Sequence, residues 1–218
     1  MTVVRPLAPA DVLEELGRRR IVAVIRAGSA DAAVFAAQAL AAGGVDAVEV
    51  TYTTPGAAIA IRELVDAQSD LLLGAGTLTS AAQAREAVEA GASFLVSPYT
   101  CVPVLDVGAE SDVLAIPGVM TPTEIAAVRE RAPLLKLFPA GIGGPALLRA
   151  LRGPFPDLRL LPTGGVSAEN VADWLAAGAF AIGAGSDLCP PRLVDERDRV
   201  EIERRARAYV SAAGREDA

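Results

Sequence analysis

The 218-residue sequence contains no histidine and a single lysine, Lys136, so arginine supplies the other positive charges. Without imidazole the chain cannot form a Ser-His-Asp or Cys-His nucleophile, or the usual histidine-containing zinc sites. Two cysteines, Cys101 and Cys189, are too few for a four-cysteine metal site or a disulfide framework. We therefore expect a site that binds no metal ion and needs no cofactor.

The charge balance and hydropathy exclude further classes of partner. Twenty Lys and Arg against 27 Asp and Glu give a net charge of −7, which argues against nucleic acid or an anionic membrane surface as a partner. No apolar run approaches the ~18 residues of a membrane span. The low cysteine count, with no recognisable signal peptide, predicts a reducing, cytoplasmic location. At 52% hydrophobic residues, we expect one well-packed domain over residues 1–218.

Short apolar runs alternate with helical segments along the chain. Their starts lie roughly 20 to 26 residues apart, which is about the length of a strand, a short helix and two turns. The eight runs are residues 21–25, 47–50, 71–74, 94–96, 113–116, 134–138, 160–162 and 180–183. Strands that are apolar on both faces and alternate with helices indicate a parallel sheet covered by helices. Eight such units predict an α/β fold of the (β/α)8 TIM-barrel type.

An open doubly wound sheet is the alternative architecture, although no Gly-x-Gly-x-x-Gly follows the first run. Before that run, Asp11 and Glu14 have the spacing of a capping box, so residues 11–19 predict an N-terminal capping helix across one barrel mouth. After the last run, residues 194–213 predict a charged outer helix.

Polar residues at the carboxyl ends of the strands are the candidates for a barrel active site. They are Arg26, Glu49, Thr51, Thr77, Ser97, Lys136, Thr163 and Ser186. Lys136 lies inside an apolar run, where an unpaired ammonium is costly and burial favours the neutral amine. A neutral amine can attack a carbonyl, so Lys136 is a candidate Schiff-base nucleophile. The alternative is a lysine whose ammonium reaches the barrel mouth or pairs with a carboxylate.

Glu49 is likewise a lone charge in an apolar run. Alternate strands of a barrel contribute to the same interior layer, so Glu49 and Lys136 are expected to face one another. The Glu49 carboxylate is either a general acid and base beside an imine or a buried ion-pair partner for Lys136.

Two glycine loops follow the seventh and eighth runs, at the positions where barrels often bind phosphate. Gly164 and Gly165 form part of the first loop, and Gly185 precedes Ser186 in the second. Glycines let backbone N–H groups approach an anion, and Ser186 adds a hydroxyl donor. The alternative interpretation is a pair of tight turns.

These segments together resemble the class I 2-keto-3-deoxy-6-phosphogluconate aldolases and their relatives that act on the galactonate epimer and on 4-hydroxy-2-oxoglutarate. The resemblance covers nearly the whole chain. It is carried by Gly43-Gly44-Val45-Asp46-Ala47-Val48-Glu49-Val50, Gly74-Ala75-Gly76-Thr77, Val96-Ser97-Pro98, Pro117-Gly118, Lys136-Leu137-Phe138-Pro139-Ala140 and Pro162-Thr163-Gly164-Gly165-Val166.

The resemblance implies a (β/α)8 barrel, a homotrimer, and a Schiff base on Lys136 with Glu49 moving protons. It also implies binding roles. Thr77 would bind the pyruvate carboxylate, Pro98 and Phe138 would line the pocket, and Gly164, Gly165 and Ser186 would bind phosphate. The implied substrate is a phosphorylated 2-keto-3-deoxy sugar acid, cleaved to pyruvate and glyceraldehyde 3-phosphate.

One position departs from the phosphogluconate branch of that family. The branch has a carboxylate-binding arginine where this chain has Thr53. In the phosphogalactonate branch the corresponding arginine ends the first strand, where this chain has Arg26, so Arg26 is the candidate replacement. The preferred epimer stays open at this point. Two further alternatives are an isomerase or synthase without an imine and a barrel that only binds a phosphorylated metabolite.

Overall fold

The computed structural model describes residues 7–67 and 70–215. Every strand pair in it is parallel. The strands are β1 (Ile21–Ile25), β2 (Ala47–Thr51), β3 (Leu72–Gly76), β4 (Phe94–Val96), β5 (Leu114–Ile116), β6 (Gly118–Val119), β7 (Leu135–Leu137), β8 (Leu160–Pro162) and β9 (Ile182–Ala184).

Helices connect successive strands except β5 and β6, and such crossovers are what parallel pairing requires. They are α1 (Pro9–Arg19), α2 (Ala30–Ala42), α3 (Ala57–Asp66), α4 (Ala81–Glu89), α5 (Val102–Glu110), α6 (Pro122–Val128), α7 (Gly144–Arg152), α8 (Val171–Ala176), α9 (Pro191–Asp195) and α10 (Arg199–Ala212), with a short 3-10 helix at Ala140–Ile142.

The strands form a curled sheet of six and a sheet of three. The order is β5-β4-β3-β2-β1-β9 in the first and β6-β7-β8 in the second. Pro117 alone separates β5 from β6, and an isolated parallel bridge joins Thr163 to Gly183. The chain is therefore an α/β protein in which β1 to β5 lie side by side in sequence order, unlike a doubly wound sheet, whose strand order reverses.

The predicted strands differ from the observed ones mainly at their ends. The single fifth run at 113–116 corresponds to β5, and β6 is an additional short strand, because Pro117 has no N–H to continue the ladder. The sixth predicted run, residues 134–138, corresponds to β7, which is shorter. The eighth run, predicted from residue 180, corresponds to β9, which begins two residues later.

Two helix predictions are corrected. The first helix begins at Pro9, with Asp11 in its first turn, so the capping box predicted from Asp11 and Glu14 is wrong. Proline at the first helical position presets the backbone angle φ, and this start leaves Asp11 inside the helix. The predicted outer helix at 194–213 is two helices, α9 and α10, which are separated at Arg197, a residue with a left-handed φ of 55°.

Two apolar clusters cover the two faces of the strands. The larger cluster lies between the strands and the surrounding helices. The smaller one contains Ala47 of β2, Leu161 of β8 and Leu134, which directly precedes β7, packed with Val12 and Leu16 of α1. The helix predicted to cap one end of the strands thus buries its apolar side there.

In two of these segments, a charged side chain follows further along the strand on the same face as this smaller cluster. Two residues beyond Ala47 comes Glu49, and two residues beyond Leu134 comes Lys136. The period-2 geometry of a strand keeps these pairs on one face. Register brings Glu49 level with Gly74 on β3, and Lys136 level with Gly118 and Leu161.

Within the described ranges, no helix has the length and apolar character needed to cross a membrane.

Candidate active site

Lys136 occupies the middle of β7, with its side chain only 5% exposed. Its Nζ donates to Oε1 of Glu49 across 3.4 Å. The strand neighbours Leu135 and Leu137 are completely buried on the opposite face. The two lone charges identified in the sequence therefore meet as one buried pair.

Glu49, on β2, is fully buried. Its Oε1 contacts Lys136, whereas its Oε2 accepts no hydrogen bond from any described residue. A buried carboxylate oxygen without a donor is costly, so this atom is available to a hydroxyl group or a water molecule.

Gly76, on β3, creates the space that the Glu49 carboxylate occupies. A methyl group built on Gly76 would overlap that carboxylate, and one on Gly74 would overlap the Phe94 ring. Glycine inside a strand often marks such a close approach. The Gly74-Ala75-Gly76 segment carried this signal, although the sequence did not reveal which side chain needed the space.

A cavity of about 290 Å³ opens above this pair. Lys136 and all the predicted substrate-binding residues line it; Glu49 lies behind Lys136 and is not part of the wall. The lining residues are Val24, Arg26, Thr77, Pro98, Lys136, Phe138, Thr163, Gly164, Gly165, Val166, Gly185, Ser186, Asp187, Cys189 and Pro191. Thr51 and Ser97 do not appear in the wall; their hydroxyls donate to the carbonyls of Ile25 and Tyr99.

Phe138 forms part of the rim, with 38% of the residue exposed. The Lys136 Nζ lies 5.6 Å from the centre of its ring. At that distance the face of an aromatic ring can attract a cationic group.

Arg26 follows β1 and reaches the cavity from the side of Thr53. Its Nε donates to Thr53 Oγ1 across 3.2 Å, and Thr53 Oγ1 lies 2.9 Å from Thr51 Oγ1. No carboxylate of the described residues forms an ion pair with Arg26. The threonine that replaces the expected arginine thus helps to hold the guanidinium of Arg26 at the cavity.

Thr77 adopts a left-handed backbone conformation, with φ of 57°. This conformation is rare for a β-branched residue and costs about 1 to 3 kcal/mol. Such strain clusters at functional sites, and here it places a threonine at the cavity wall directly after β3.

The glycine loop after β8 lies close to the chain that follows β7. Gly164 and Gly165 both have left-handed φ values, 83° and 80°. Gly141 N–H donates to the Gly164 carbonyl across 2.8 Å, and a methyl group on Gly165 would crowd Gly141. The loop geometry therefore requires glycine and keeps side chains out of this part of the cavity wall.

Two lining residues with ionisable side chains, Asp187 and Cys189, are not among the candidates chosen from the sequence. Burial raises the pKa of the Cys189 thiol to about 12, despite the nearby Arg205. The thiol therefore stays protonated, and Cys189 is a poor rival to Lys136 as the nucleophile. In residues 7–67 and 70–215, no group of three or more Cys, Asp or Glu side chains could hold a metal ion.

A family model described as KDPG and KHG aldolase matches residues 12–205. The chain belongs to this family. The matched segment contains Lys136, Glu49 and every residue predicted to bind substrate.

Individual members of the KDPG and KHG aldolase family are similar in sequence to this chain over most of their length. The 2-dehydro-3-deoxy-phosphogluconate aldolase of Pseudomonas aeruginosa is 43% identical over 173 residues, covering 78% of this chain and 79% of its own. The KHG/KDPG aldolase of Escherichia coli K12 is 37% identical over 195 residues, covering 88% and 92%.

The crystal structure of the KDPG aldolase from Legionella pneumophila has the same fold, with a TM-score of 0.84 and 31% identity, covering 93% of this chain and 98% of that one. In that crystal, pyruvate was captured at low pH as a covalent carbinolamine intermediate.

Proposed function

We propose that this chain is a class I aldolase that cleaves 2-keto-3-deoxy-6-phosphogluconate to pyruvate and glyceraldehyde 3-phosphate through a Schiff base on Lys136. One observation carries the proposal. The only lysine of the sequence is buried at the base of a cavity, with its Nζ 3.4 Å from Glu49. Membership of the KDPG and KHG aldolase family supports the same chemistry.

The architecture that goes with this proposal is a single closed (β/α)8 barrel over residues 1–218, of which residues 1–6, 68–69 and 216–218 lie outside the described ranges. Three observations support closure. Pro117 alone separates β5 of the first sheet from β6 of the second along the chain, the Thr163–Gly183 bridge joins β8 to β9, and β9 pairs with β1. The cavity then lies at the carboxyl ends of the strands, where barrel enzymes hold their active sites.

Catalysis begins with the Lys136–Glu49 pair. Transfer of an ammonium proton to Glu49 leaves a neutral amine, which attacks the C2 ketone of the substrate. The resulting carbinolamine loses its hydroxyl group as water and becomes a protonated imine. The Phe138 ring, at 5.6 Å from Nζ, favours that positive charge.

The protonated imine then accepts the electron pair of the C3–C4 bond. Glu49, directly or through a water molecule, removes the C4 hydroxyl proton, and its unpartnered Oε2 is the atom suited to this step. Glyceraldehyde 3-phosphate leaves, and an enamine of pyruvate remains on Lys136. Glu49 returns a proton to C3, and water hydrolyses the imine to release pyruvate.

The remaining cavity residues bind the two charged ends of the substrate. Arg26 and Thr77 hold the carboxylate beside C2, because a fixed cation and a hydroxyl group match a carboxylate. Gly164, Gly165 and Ser186 hold the phosphate with backbone N–H groups and one hydroxyl. Pro98 and Phe138 shape the wall between them.

The 6-phosphogalactonate epimer is the second candidate substrate, and the position of Arg26 favours it. The guanidinium contacts Thr53, the residue found in place of the gluconate-branch arginine. Cleavage rates of the two epimers, measured side by side, decide between them: a higher kcat/KM for the galactonate epimer would replace the gluconate assignment.

Reduction with borohydride in the presence of pyruvate tests the Schiff base itself. We expect an irreversible pyruvate adduct on Lys136, located by peptide mass spectrometry and absent from Lys136→Ala. An isomerase, a synthase or a simple metabolite-binding barrel would leave the wild-type mass unchanged, and that result would overturn the proposal.

The enzyme is proposed to work as a homotrimer in the cytoplasm, which the family resemblance supports. Exposed apolar side chains, among them Ile59, Tyr99 and Val102, leave apolar surface for contacts between subunits. Light scattering on the purified protein measures the assembly; a monomer would contradict this proposal.

A further inference from the structure

Tyr209, near the carboxyl end of α10, contacts both glycine loops of the cavity. Its hydroxyl oxygen lies 3.1 Å from the Val166 carbonyl and 3.2 Å from Asp187 Oδ2. Val166 follows β8, and Asp187 follows β9. Because Tyr209 itself is 1% exposed, this hydroxyl group forms a buried link behind the cavity wall.

Little else ties these two loops together. The Thr163–Gly183 bridge is the last backbone contact between β8 and β9. Beyond it, in the described part of the chain, no backbone hydrogen bond joins residues 164–167 to residues 185–188. Among the described residues, the Tyr209 hydroxyl group therefore provides the hydrogen bonds that link the two loops, in addition to the apolar packing of Val166 and Leu188.

Arg205, one turn before Tyr209, reinforces the same contact. Its Nη1 donates to the Asp187 carbonyl across 2.6 Å, and its Nε donates to Glu201 Oε1 across 2.8 Å. Residues four apart lie on one face of a helix, so Arg205 and Tyr209 hold Asp187 from adjacent turns. The helix α10 thus fixes one loop directly, and Tyr209 extends that restraint to the other.

The Tyr209 hydroxyl group remains a donor under working conditions. Burial, and then the Asp187 carboxylate, raise the pKa of Tyr209 well above its ordinary value. The Val166 carbonyl and the Asp187 carboxylate are both acceptors, so the single hydroxyl proton serves either one or is shared between them.

We propose that Tyr209 is a positioning residue for the substrate phosphate, which it serves by setting the distance between the loops that contain Gly164-Gly165 and Ser186. This inference rests on the proposed function, in which both loops bind the phosphate group. A phosphate held by two loops binds more tightly when the loops are already at the correct spacing, because less conformational freedom is lost on binding.

Tyr209→Phe tests the inference, because it removes the hydroxyl group and keeps the buried ring. We expect KM for the phosphorylated sugar acid to rise about threefold to tenfold, the range that one net hydrogen bond produces. Inhibition by inorganic phosphate should weaken by a similar factor. Turnover of unphosphorylated 4-hydroxy-2-oxoglutarate and trapping of pyruvate on Lys136 should stay at wild-type levels.

Tyr52→Phe is the matched control, since Tyr52 is half-buried and does not line the cavity. Its kinetic constants should equal those of the wild type. An unchanged KM in Tyr209→Phe, or equal losses with phosphorylated and unphosphorylated substrates, would refute the positioning role. Failure of the proposed function is recognised separately, because the wild-type protein would then trap no pyruvate.

Discussion

On the face of the strands that α1 partly covers, the amino ends and the carboxyl ends of the strands carry different kinds of side chain. At the amino end, Val12 and Leu16 of α1 complete an apolar cluster of buried side chains. At the carboxyl end, the buried Lys136–Glu49 pair lies beside glycines that make room for it.

Side chains at the amino ends are therefore expected to contribute mainly to stability, and the charged pair at the carboxyl ends to the proposed reaction. Apolar burial at the amino end stabilises the fold at about 25 cal/mol per Å² of apolar surface. A buried ion pair contributes little net stability, because desolvation of the two charges offsets their attraction. We therefore expect substitutions at the two ends to affect different measurements.

The largest effect is expected from Glu49→Gln at the carboxyl end. Loss of the proton acceptor should lower kcat by roughly a hundredfold to ten-thousandfold, the usual range for a general acid or base. Steady-state cleavage assays measure this, with the exposed Glu63→Gln as control. A kcat within twofold of wild type would leave Glu49 only the role of ion-pair partner.

The next largest effect is expected from Leu16→Ala at the amino end. Truncation of this fully buried side chain should lower the free energy of unfolding by about 2 to 5 kcal/mol and leave kcat/KM unchanged at temperatures where the variant stays folded. Denaturant titration gives the stability. Leu13→Ala, a half-buried neighbour on α1, should cost less. A Leu16→Ala variant that keeps wild-type stability but loses activity would contradict the view that the amino end contributes to stability alone.

The smallest effect is expected from Arg26→Ala, which tests a substrate-binding residue at the carboxyl end. KM should rise about tenfold to a hundredfold, because the substrate carboxylate loses a charged donor, while the free energy of unfolding stays the same. The exposed Arg62→Ala serves as the control. Adding Thr53→Arg to Arg26→Ala should restore part of the affinity. Kinetic constants of Arg26→Ala equal to those of the wild type would refute carboxylate binding by Arg26.

Much of the arrangement was predictable where periodicity and glycine placement act locally. Alternating apolar runs predicted the parallel strands, and Lys136 and Glu49 stood out as lone charges within two of them. The errors lie where a single residue overrides a pattern. Pro9 moved the start of α1 ahead of the expected cap, and the left-handed Arg197 divided the expected outer helix in two.

Although Glu49 and Lys136 were expected to face one another, other contacts between distant segments were beyond prediction from the sequence. Tyr209 and Asp187 are 22 residues apart, and no local pattern marks Tyr209 as a neighbour of the glycine loop that contains Asp187. The space for the Glu49 carboxylate comes from Gly76 on the next strand, a relation created by strand register.

By itself, the sequence determined which reactive groups this protein has available: a single lysine amine, no imidazole, and a lone carboxylate in an apolar strand. The sequence also led us to expect that Glu49 faces Lys136. Tertiary structure alone decided that the two groups lie 3.4 Å apart, that the Arg26 guanidinium donates to Thr53, and that Tyr209 joins two loops. The physical reason is that strand periodicity is a local property, whereas distances across the strands depend on register and packing of the whole chain.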